Sequence, residues 1–152
     1  DDWIRKDGEN FSAENVLEYA LKLPGVKLAA AFGAPSPVSD EQVMIAIELW
    51  ESAKFDPRQA FDWFMDQQQN GGMDPKWMPD YIRIIDEMPV SSTQKIQVRP
   101  FKKDHFHIGR NPDMRIYFRE RGDTAYRELT PEAFAEIQAR FVETGREGLL
   151  SS

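Results

Sequence analysis

Residues 26–50 read VKLAAAFGAPSPVSDEQVMIAIELW, and this stretch decides the fold. Residues 26–32 form a run of small apolar side chains, and residues 42–50 alternate apolar and polar side chains with β-branched residues among them. Both patterns are typical of β-strands. Proline and glycine in the segment 33–37 exclude regular structure there and predict a loop. The stretch therefore predicts two neighbouring strands.

Helices are predicted along the chain on both sides of this strand pair. Ser12 is a suitable N-cap for a first helix of about 12–23, in which apolar residues share one face. Asp56-Pro57 is an N-cap followed by proline at the first helical position, and it opens a second helix of about 57–69. A short apolar segment at 81–85 then predicts a third strand.

The two ends of the chain add a hairpin and an extension. A tight turn at Asp7-Gly8 predicts an N-terminal β-hairpin. Segments 114–119 and 125–129 predict two strands paired across Gly122-Asp123, and Thr130-Pro131 opens a final helix. The predicted fold is α+β, with a small mixed sheet of about three strands covered by helices and a C-terminal extension of a strand pair and a helix.

The composition predicts one folded domain in the cytoplasm. Of the 152 residues, 41% are hydrophobic and 12% aromatic, which argues against disorder. The absence of Cys excludes disulfides and thiol chemistry, and no apolar run reaches the ~20 residues that a membrane span needs. A net charge of -7 disfavours nucleic acid as a main partner, because phosphate binding needs a basic surface.

Two groups of titratable residues carry weaker signals. His105 and His107 are the two histidines, spaced as on one side of a strand, but without Cys or a third His the ligand count falls short of a metal site. We expect polar loop residues there and no metal. Asp86 and Glu87 are adjacent and diverge on any regular element, so they are expected to be solvated.

Residues 1–12 read DDWIRKDGENFS. As a string they resemble the hinge and hairpin that open the small C-terminal lid domain of acyl-CoA synthetases, in the adenylate-forming (AMP-binding) superfamily. There the pattern runs acidic-acidic-x-Ile-basic-x-x-Gly-Glu-Asn, followed by Ser and a helix. The resemblance implies that the chain is part of an enzyme and begins at its hinge.

Residues 79–96 read PDYIRIIDEMPVSSTQKI and resemble the last motif of the same family. In that motif a Ser/Thr-rich loop leads to Gly-Lys and a hydrophobic residue. Here Gln94 replaces the usual Gly, and Lys95 retains the charge. A lysine at the end of such a loop is a mobile point charge, able to neutralise a carboxylate and an α-phosphate as they join.

The chain continues for 57 residues after Lys95, and this tail carries a third resemblance. An aromatic strand after Asn111-Pro112-Asp113, then a Leu-Thr cap before the last helix, is similar to the very-long-chain or fatty-acid-transport-protein-like branch of the family. The tail favours a bulky fatty or sterol-derived acid as substrate. We expect residues 1–103 to form the lid and residues 104–152 an extension packed on it.

The resemblance implies a two-step enzyme that uses ATP, Mg2+ and coenzyme A (CoA). A carboxylic acid joins ATP to form an acyl-adenylate, and the acyl group then passes to the CoA thiol. A lid that turns about Asp1 presents Lys95 for the first step and the hairpin for the second. The residues expected on this second, thioester-forming face are Arg5, Lys6, Gly8, Glu9 and Asn10.

The expected partners are the enzyme's own N-terminal adenylation domain, the acyl-adenylate and CoA, with peripheral membrane contact left open for the full-length enzyme. The isolated lid is expected to be inactive. Two alternatives stand beside this interpretation: a non-catalytic interaction module with the lid fold, and acyl transfer to a carrier-protein thiol.

Overall fold

The computed structural model describes residues 2–151, and it begins with the predicted hairpin. β1 (Trp3–Lys6) pairs antiparallel with β2 (Glu9–Ser12), so that Lys6 lies opposite Glu9. The two-residue connection has φ 51° at Asp7 and 82° at Gly8. Two positive φ values define a type I′ turn, the connection that matches the twist of a hairpin.

The first helix follows as predicted, but the loop predicted at 33–37 is wrong for residues 33–35, which continue the first strand of the pair. Proline is tolerated there because this strand lies at the edge of the sheet. Ser12 caps α1 (Ala13–Lys22) by accepting the Glu14 N–H at 3.2 Å. β3 (Val26–Pro35) and β4 (Glu41–Leu49) then form an antiparallel pair. In β4 six consecutive residues, 43–48, are buried, because both faces of this central strand are covered.

The second helix returns the chain to the sheet. α2 (Pro57–Asn70) is capped by Asp56, and a 3-10 turn (Pro75–Trp77) leads to β5 (Tyr81–Ile85). β5 pairs with β4 in parallel, as a strand that follows a crossover helix should.

The tail continues the same sheet. β6 (Arg115–Phe118) pairs with β5, and β7 (Arg127–Glu128) pairs with β6, which extends the predicted three strands to five in the order β3-β4-β5-β6-β7. The predicted last helix is α4 (Pro131–Glu143). Two short helices were not anticipated: α3 (Arg99–Asp104) and α5 (Gly148–Ser151).

Two apolar cores lie on opposite faces of the sheet. The first packs the hairpin, α1 and α2 on one face, and its members include Ile4, Val16, Ile45, Phe64 and Ile82. The second packs α3, α4 and α5 on the other face, and its members include Phe32, Met44, Phe101, Phe106 and Phe141. The tail therefore covers a face of the sheet that the first hundred residues leave open. Across residues 2–151, no helix has the length and apolar character to cross a bilayer.

Candidate functional site

Lys95 lies in a short hairpin formed by residues 90–96. Val90 and Ile96 form an isolated antiparallel bridge. Inside it, the Ser91 N–H donates to the Lys95 carbonyl at 2.8 Å, and the Lys95 N–H donates to Ser91 Oγ at 3.3 Å. Both the N–H and the carbonyl of Lys95 are thus hydrogen-bonded to Ser91.

Gln94 explains why glycine is usual at this position. Its φ is 64°, in the left-handed region, and its N–H donates to the Ser91 carbonyl at 2.8 Å. A three-residue hairpin loop that ends in a left-handed residue is a common connection, and glycine adopts it with least strain. Gln94 adopts this left-handed conformation although it carries a Cβ, so the residue is strained there.

The Lys95 side chain is exposed. Its ammonium has no hydrogen bond or ion pair to any residue of the described range 2–151. The loop start is fixed more deeply, because the Met88 N–H donates to the buried Glu48 carboxylate at 2.6 Å. Glu48 lies near the end of β4, so the Lys95 loop leaves the sheet at that end. A fixed backbone therefore presents an unpaired cation to the surroundings.

The tip of the N-terminal hairpin lies against the loop that precedes β4. The Gly8 N–H donates to Asp40 Oδ2 at 3.0 Å, and the Arg5 N–H donates to Glu41 Oε1 at 3.2 Å. No heavy atom lies within 4 Å of the position where a Cβ on Gly8 would stand. Glycine is therefore favoured here by its φ of 82°, and the space above it is open to an incoming molecule.

The other hairpin residues on this face make exposed contacts. Arg5 Nε lies 3.4 Å from Asp40 Oδ1, and its Nη1 donates to Asn10 Oδ1 at 3.4 Å. Glu9 pairs with Lys76 at 3.4 Å. Such exposed pairs contribute little to stability, typically about 0–1 kcal/mol, so they leave these side chains available.

Lys6 differs from its neighbours because its ammonium is buried against Asp80. Lys6 Nζ lies 2.8 Å from Asp80 Oδ2, with 15% of the Lys6 side chain and 8% of the Asp80 side chain exposed. The same carboxylate oxygen accepts the Val43 N–H at 2.9 Å. This pair fastens the hairpin to the sheet.

The two groups of residues expected to act lie at opposite ends of the sheet. The hairpin tip contacts Asp40, directly before β4 starts, whereas the Lys95 loop follows the end of β5. Because β4 and β5 are parallel, these are opposite strand ends, and the nine residues of β4 span roughly 30 Å. The fold separates Lys95 from the hairpin tip instead of bringing them together.

The predicted hinge, Asp1, lies outside the described residues. Its neighbour Asp2 pairs through Oδ1 with Lys102 Nζ of α3 at 2.9 Å, and the Asp2 carbonyl accepts the Ala13 N–H at 2.8 Å. These contacts tie the start of the described chain to the helix that follows the Lys95 loop.

An open cleft of about 930 Å3 adjoins the hairpin tip. Sequence reasoning missed two of the residues that line it, Asp80 and Arg119. Asp80 directly precedes a buried strand. A charged residue at such a boundary was the one feature of the sequence that could have marked it as a candidate. Its partners are 74 and 39 positions away in the sequence, so no local pattern could reveal them. The other charged residues that line the cleft include Lys6, Asp7, Lys76 and Arg121.

His105 is not the polar loop residue that the sequence predicted. It ends α3 with 1% of its surface exposed, and its Nδ1 accepts the Phe106 N–H at 2.8 Å. Nε2 must then carry the proton, and it donates to the Leu150 carbonyl at 3.1 Å. Burial lowers the pKa of His105 from 6.5 to about 4, so the ring is neutral at pH 7. It anchors α5 to the second core.

Metal ligation finds no support in the part of the chain that the structure describes. Residues 2–151 contain no group of three or more His, Cys, Asp or Glu placed to hold an ion. Asp86 and Glu87 are both exposed, as expected.

Comparison with known proteins finds relatives of this chain among CoA synthetases and CoA ligases. A steroid-22-oyl-CoA synthetase from Rhodococcus jostii is 32% identical over 149 residues, which cover 98% of this chain and 26% of the relative. A medium/long-chain-fatty-acid–CoA ligase from Mycobacterium marinum is 35% identical over 108 residues, which cover 71% of this chain and 21% of the relative. Both relatives of this chain are thus CoA synthetases or CoA ligases that act on a steroid or fatty acid by name.

A solved structure supports the same assignment. The Brucella canis acyl-CoA synthetase shares 27% identity and a TM-score of 0.57, over 68% of this chain and 19% of that one. No protein-family model matches the chain. The predicted resemblance to acyl-CoA synthetases is confirmed, and the chain spans about a quarter or less of the length of these synthetase relatives.

Proposed function

We propose that this chain is the C-terminal lid domain of an ATP-dependent acyl-CoA synthetase. The similarity to the steroid-22-oyl-CoA synthetase carries the proposal, because it covers 98% of this chain but only 26% of the relative. The remainder of such an enzyme would be a large N-terminal adenylation domain. Residues 1–103 would form the lid and residues 104–152 its extension, with Asp1 at the hinge.

In the first step, Lys95 would act at the adenylation centre. The acid's carboxylate attacks the α-phosphate of ATP, a bond from carboxylate oxygen to phosphorus forms, and pyrophosphate leaves. Negative charge gathers where the two anions join. The ammonium of Lys95 is exposed, and Ser91 holds its backbone. Because the ammonium forms no ion pair within the described range, it can stabilise that charge without first breaking another contact.

In the second step, the hairpin would face the same centre. The CoA thiol attacks the acyl carbonyl, a thioester forms, and AMP leaves. The open space above Gly8 suits close approach of the pantetheine chain, and Arg5 can reach a phosphate because its contacts are exposed. Lys6, Glu9 and Asn10 would shape the same face.

The position of these groups supports a lid that turns between the steps. The hairpin and Lys95 occupy opposite ends of one sheet, so a single orientation cannot present both to one centre. Rotation about a hinge at Asp1 would present them in turn. Mg2+ would accompany ATP, and no described residue is assigned to it. The enzyme would act in the cytoplasm.

The substrate is proposed to be a bulky acid of fatty or steroid type. The relative that matches almost the whole chain, tail included, is named for a steroid acid, and the other for medium and long fatty acids. That the tail places the chain in the very-long-chain-like branch stays a prediction.

The test is Lys95→Ala in the full-length enzyme, with the two half-reactions measured separately. Acyl-adenylate formation should fall about 100- to 1,000-fold, whereas thioester formation from supplied acyl-adenylate should remain near the parent rate. Lys103→Ala is the matched control, since Lys103 is also exposed and its ammonium forms no hydrogen bond or ion pair within residues 2–151. Equal loss in both half-reactions would refute the role of Lys95.

The acyl acceptor is tested in the same preparation. Free CoA and a carrier-protein thiol would be supplied in turn with acyl-adenylate. Faster transfer to CoA supports a CoA ligase, and faster transfer to the carrier protein overturns that part of the proposal.

A further inference from the structure

Asp80 is a buried carboxylate that joins three separate parts of the chain. It lies directly before β5, and 6% of its surface is exposed. Oδ2 accepts from Lys6 of the hairpin at 2.8 Å and from the Val43 N–H of β4 at 2.9 Å. Oδ1 faces the Arg119 guanidinium of the tail at 3.5 Å. Hairpin, sheet and tail thus meet at one side chain.

The contact to Lys6 is the shortest and most buried side-chain contact of the hairpin tip. The other side-chain contacts of the tip, through Arg5, Gly8 and Glu9, are exposed and longer. A buried ion pair differs in kind, because removing one partner leaves an uncompensated charge in a poorly solvated place. The position of the tip should therefore depend on Asp80 more than on any exposed contact.

The tail holds Asp80 from the opposite side. The Arg119 N–H donates to the Asp80 carbonyl at 3.0 Å, and Arg119 Nε donates to the Pro79 carbonyl at 3.3 Å. The same Pro79 carbonyl accepts the buried Tyr126 hydroxyl at 2.7 Å. Arg119 and Tyr126, which both belong to the tail, therefore fix residues 79–80, to which the hairpin is anchored.

We propose that the tail sets the position of the thioester-forming hairpin through Arg119, Asp80 and Lys6, which makes Asp80 a positioning residue for acyl transfer to CoA. This inference rests on the proposed function of the hairpin. It gives the tail a part in catalysis besides covering the sheet. It also commits the Lys6 ammonium to Asp80 and not to a CoA phosphate.

The kinetic test compares three variants of the full-length enzyme: Asp80→Asn, Arg119→Gln and, as a matched control, Arg121→Gln. Arg121 lines the same cleft but is exposed and has no partner in the described chain. Asp80→Asn should slow thioester formation about 10- to 100-fold, the cost of a small misplacement, with adenylation within about twofold of the parent. Arg119→Gln should act in the same direction by less, and Arg121→Gln should change neither step.

Hydrogen exchange of the chain described here separates displacement from misfolding. Amides of residues 4–11 should exchange faster in Asp80→Asn and Arg119→Gln, while amides of β4 stay protected. Should Asp80→Asn fail to fold, Arg119→Gln alone carries the test. Equal loss of both half-reactions, or faster exchange at the hairpin without slower thioester formation, would overturn the proposal.

A last comparison distinguishes positioning from phosphate binding. The ratio of rates with CoA and with 3′-dephospho-CoA should be the same in Lys6→Met as in the parent, although both rates fall. Loss of the preference for CoA would show that Lys6 binds the phosphate, which overturns the inference. A failure of the proposed function can be told apart from a failure of this inference, because it would appear as retained adenylation in Lys95→Ala.

Discussion

The Lys95 loop and the N-terminal hairpin are both tight turns between short paired segments, yet the chain holds them in different ways. The Lys95 backbone forms its hydrogen bonds with Ser91, four residues away. The hairpin is held by Asp40, Glu41 and Asp80, between 32 and 74 residues away. A loop held locally can move as a unit without disturbing the five-stranded sheet. The hairpin is a separate two-stranded sheet, and contacts with distant residues fasten it to the larger one.

Acidification has the largest expected effect, and it tests whether the Lys95 loop and the hairpin unfold as one cooperative unit. Unfolded His105 takes up a proton near pH 6.5, but the buried ring does so only near pH 4. The unfolded state therefore binds more protons in this window, and stability falls as the pH drops through it, by roughly 3 kcal/mol. Denaturant titrations at pH 7 and pH 4.5, read at both regions, would check this.

Both regions should then unfold together, because both rest on cores that share one sheet. His105→Gln should remove most of the pH slope, and His107→Gln should keep most of it, since His107 is less buried. An unchanged slope in His105→Gln would contradict the assignment.

Gly8→Trp tests the hairpin with an effect on one step only. An indole above the tip would obstruct the open space there, and thioester formation should fall about 100-fold while adenylation persists. The measurement is the rate of each half-reaction in the full-length enzyme. Gly8→Asn controls for the backbone, because asparagine tolerates a positive φ with a small side chain. Parent-like thioester formation in Gly8→Trp would remove the hairpin from the CoA face.

Gln94→Gly is the smallest change and concerns the Lys95 loop. Glycine relieves the left-handed strain but loses chain entropy, so the free energy of unfolding should rise by roughly 0.5 kcal/mol. Chemical denaturation would measure it. Thr93→Gly, at a neighbouring position without positive φ, should lower stability instead. If both changes act alike, the strain at Gln94 is not the cause.

The elements that the sequence predicted well are those with local causes. Ser12, Asp56 and Thr130 cap their helices as predicted, and the strand at 81–85 has the predicted bounds. The short helix α3 escaped prediction because Val98 provides no side-chain cap and the six residues carry no clear period. His105 was misjudged because its burial comes from Phe106 and from α5, 45 residues later.

The sequence by itself determined the α+β order of elements, the resemblance to acyl-CoA synthetases and the choice of Lys95 and the hairpin, because periodicity, capping and short motifs are written in neighbouring residues. Only the tertiary structure decided that the tail completes the sheet and that Lys6 is buried against Asp80. It also placed Lys95 and the hairpin at opposite strand ends. These features depend on pairing between distant segments, which burial and hydrogen bonding select only once the whole sheet is assembled.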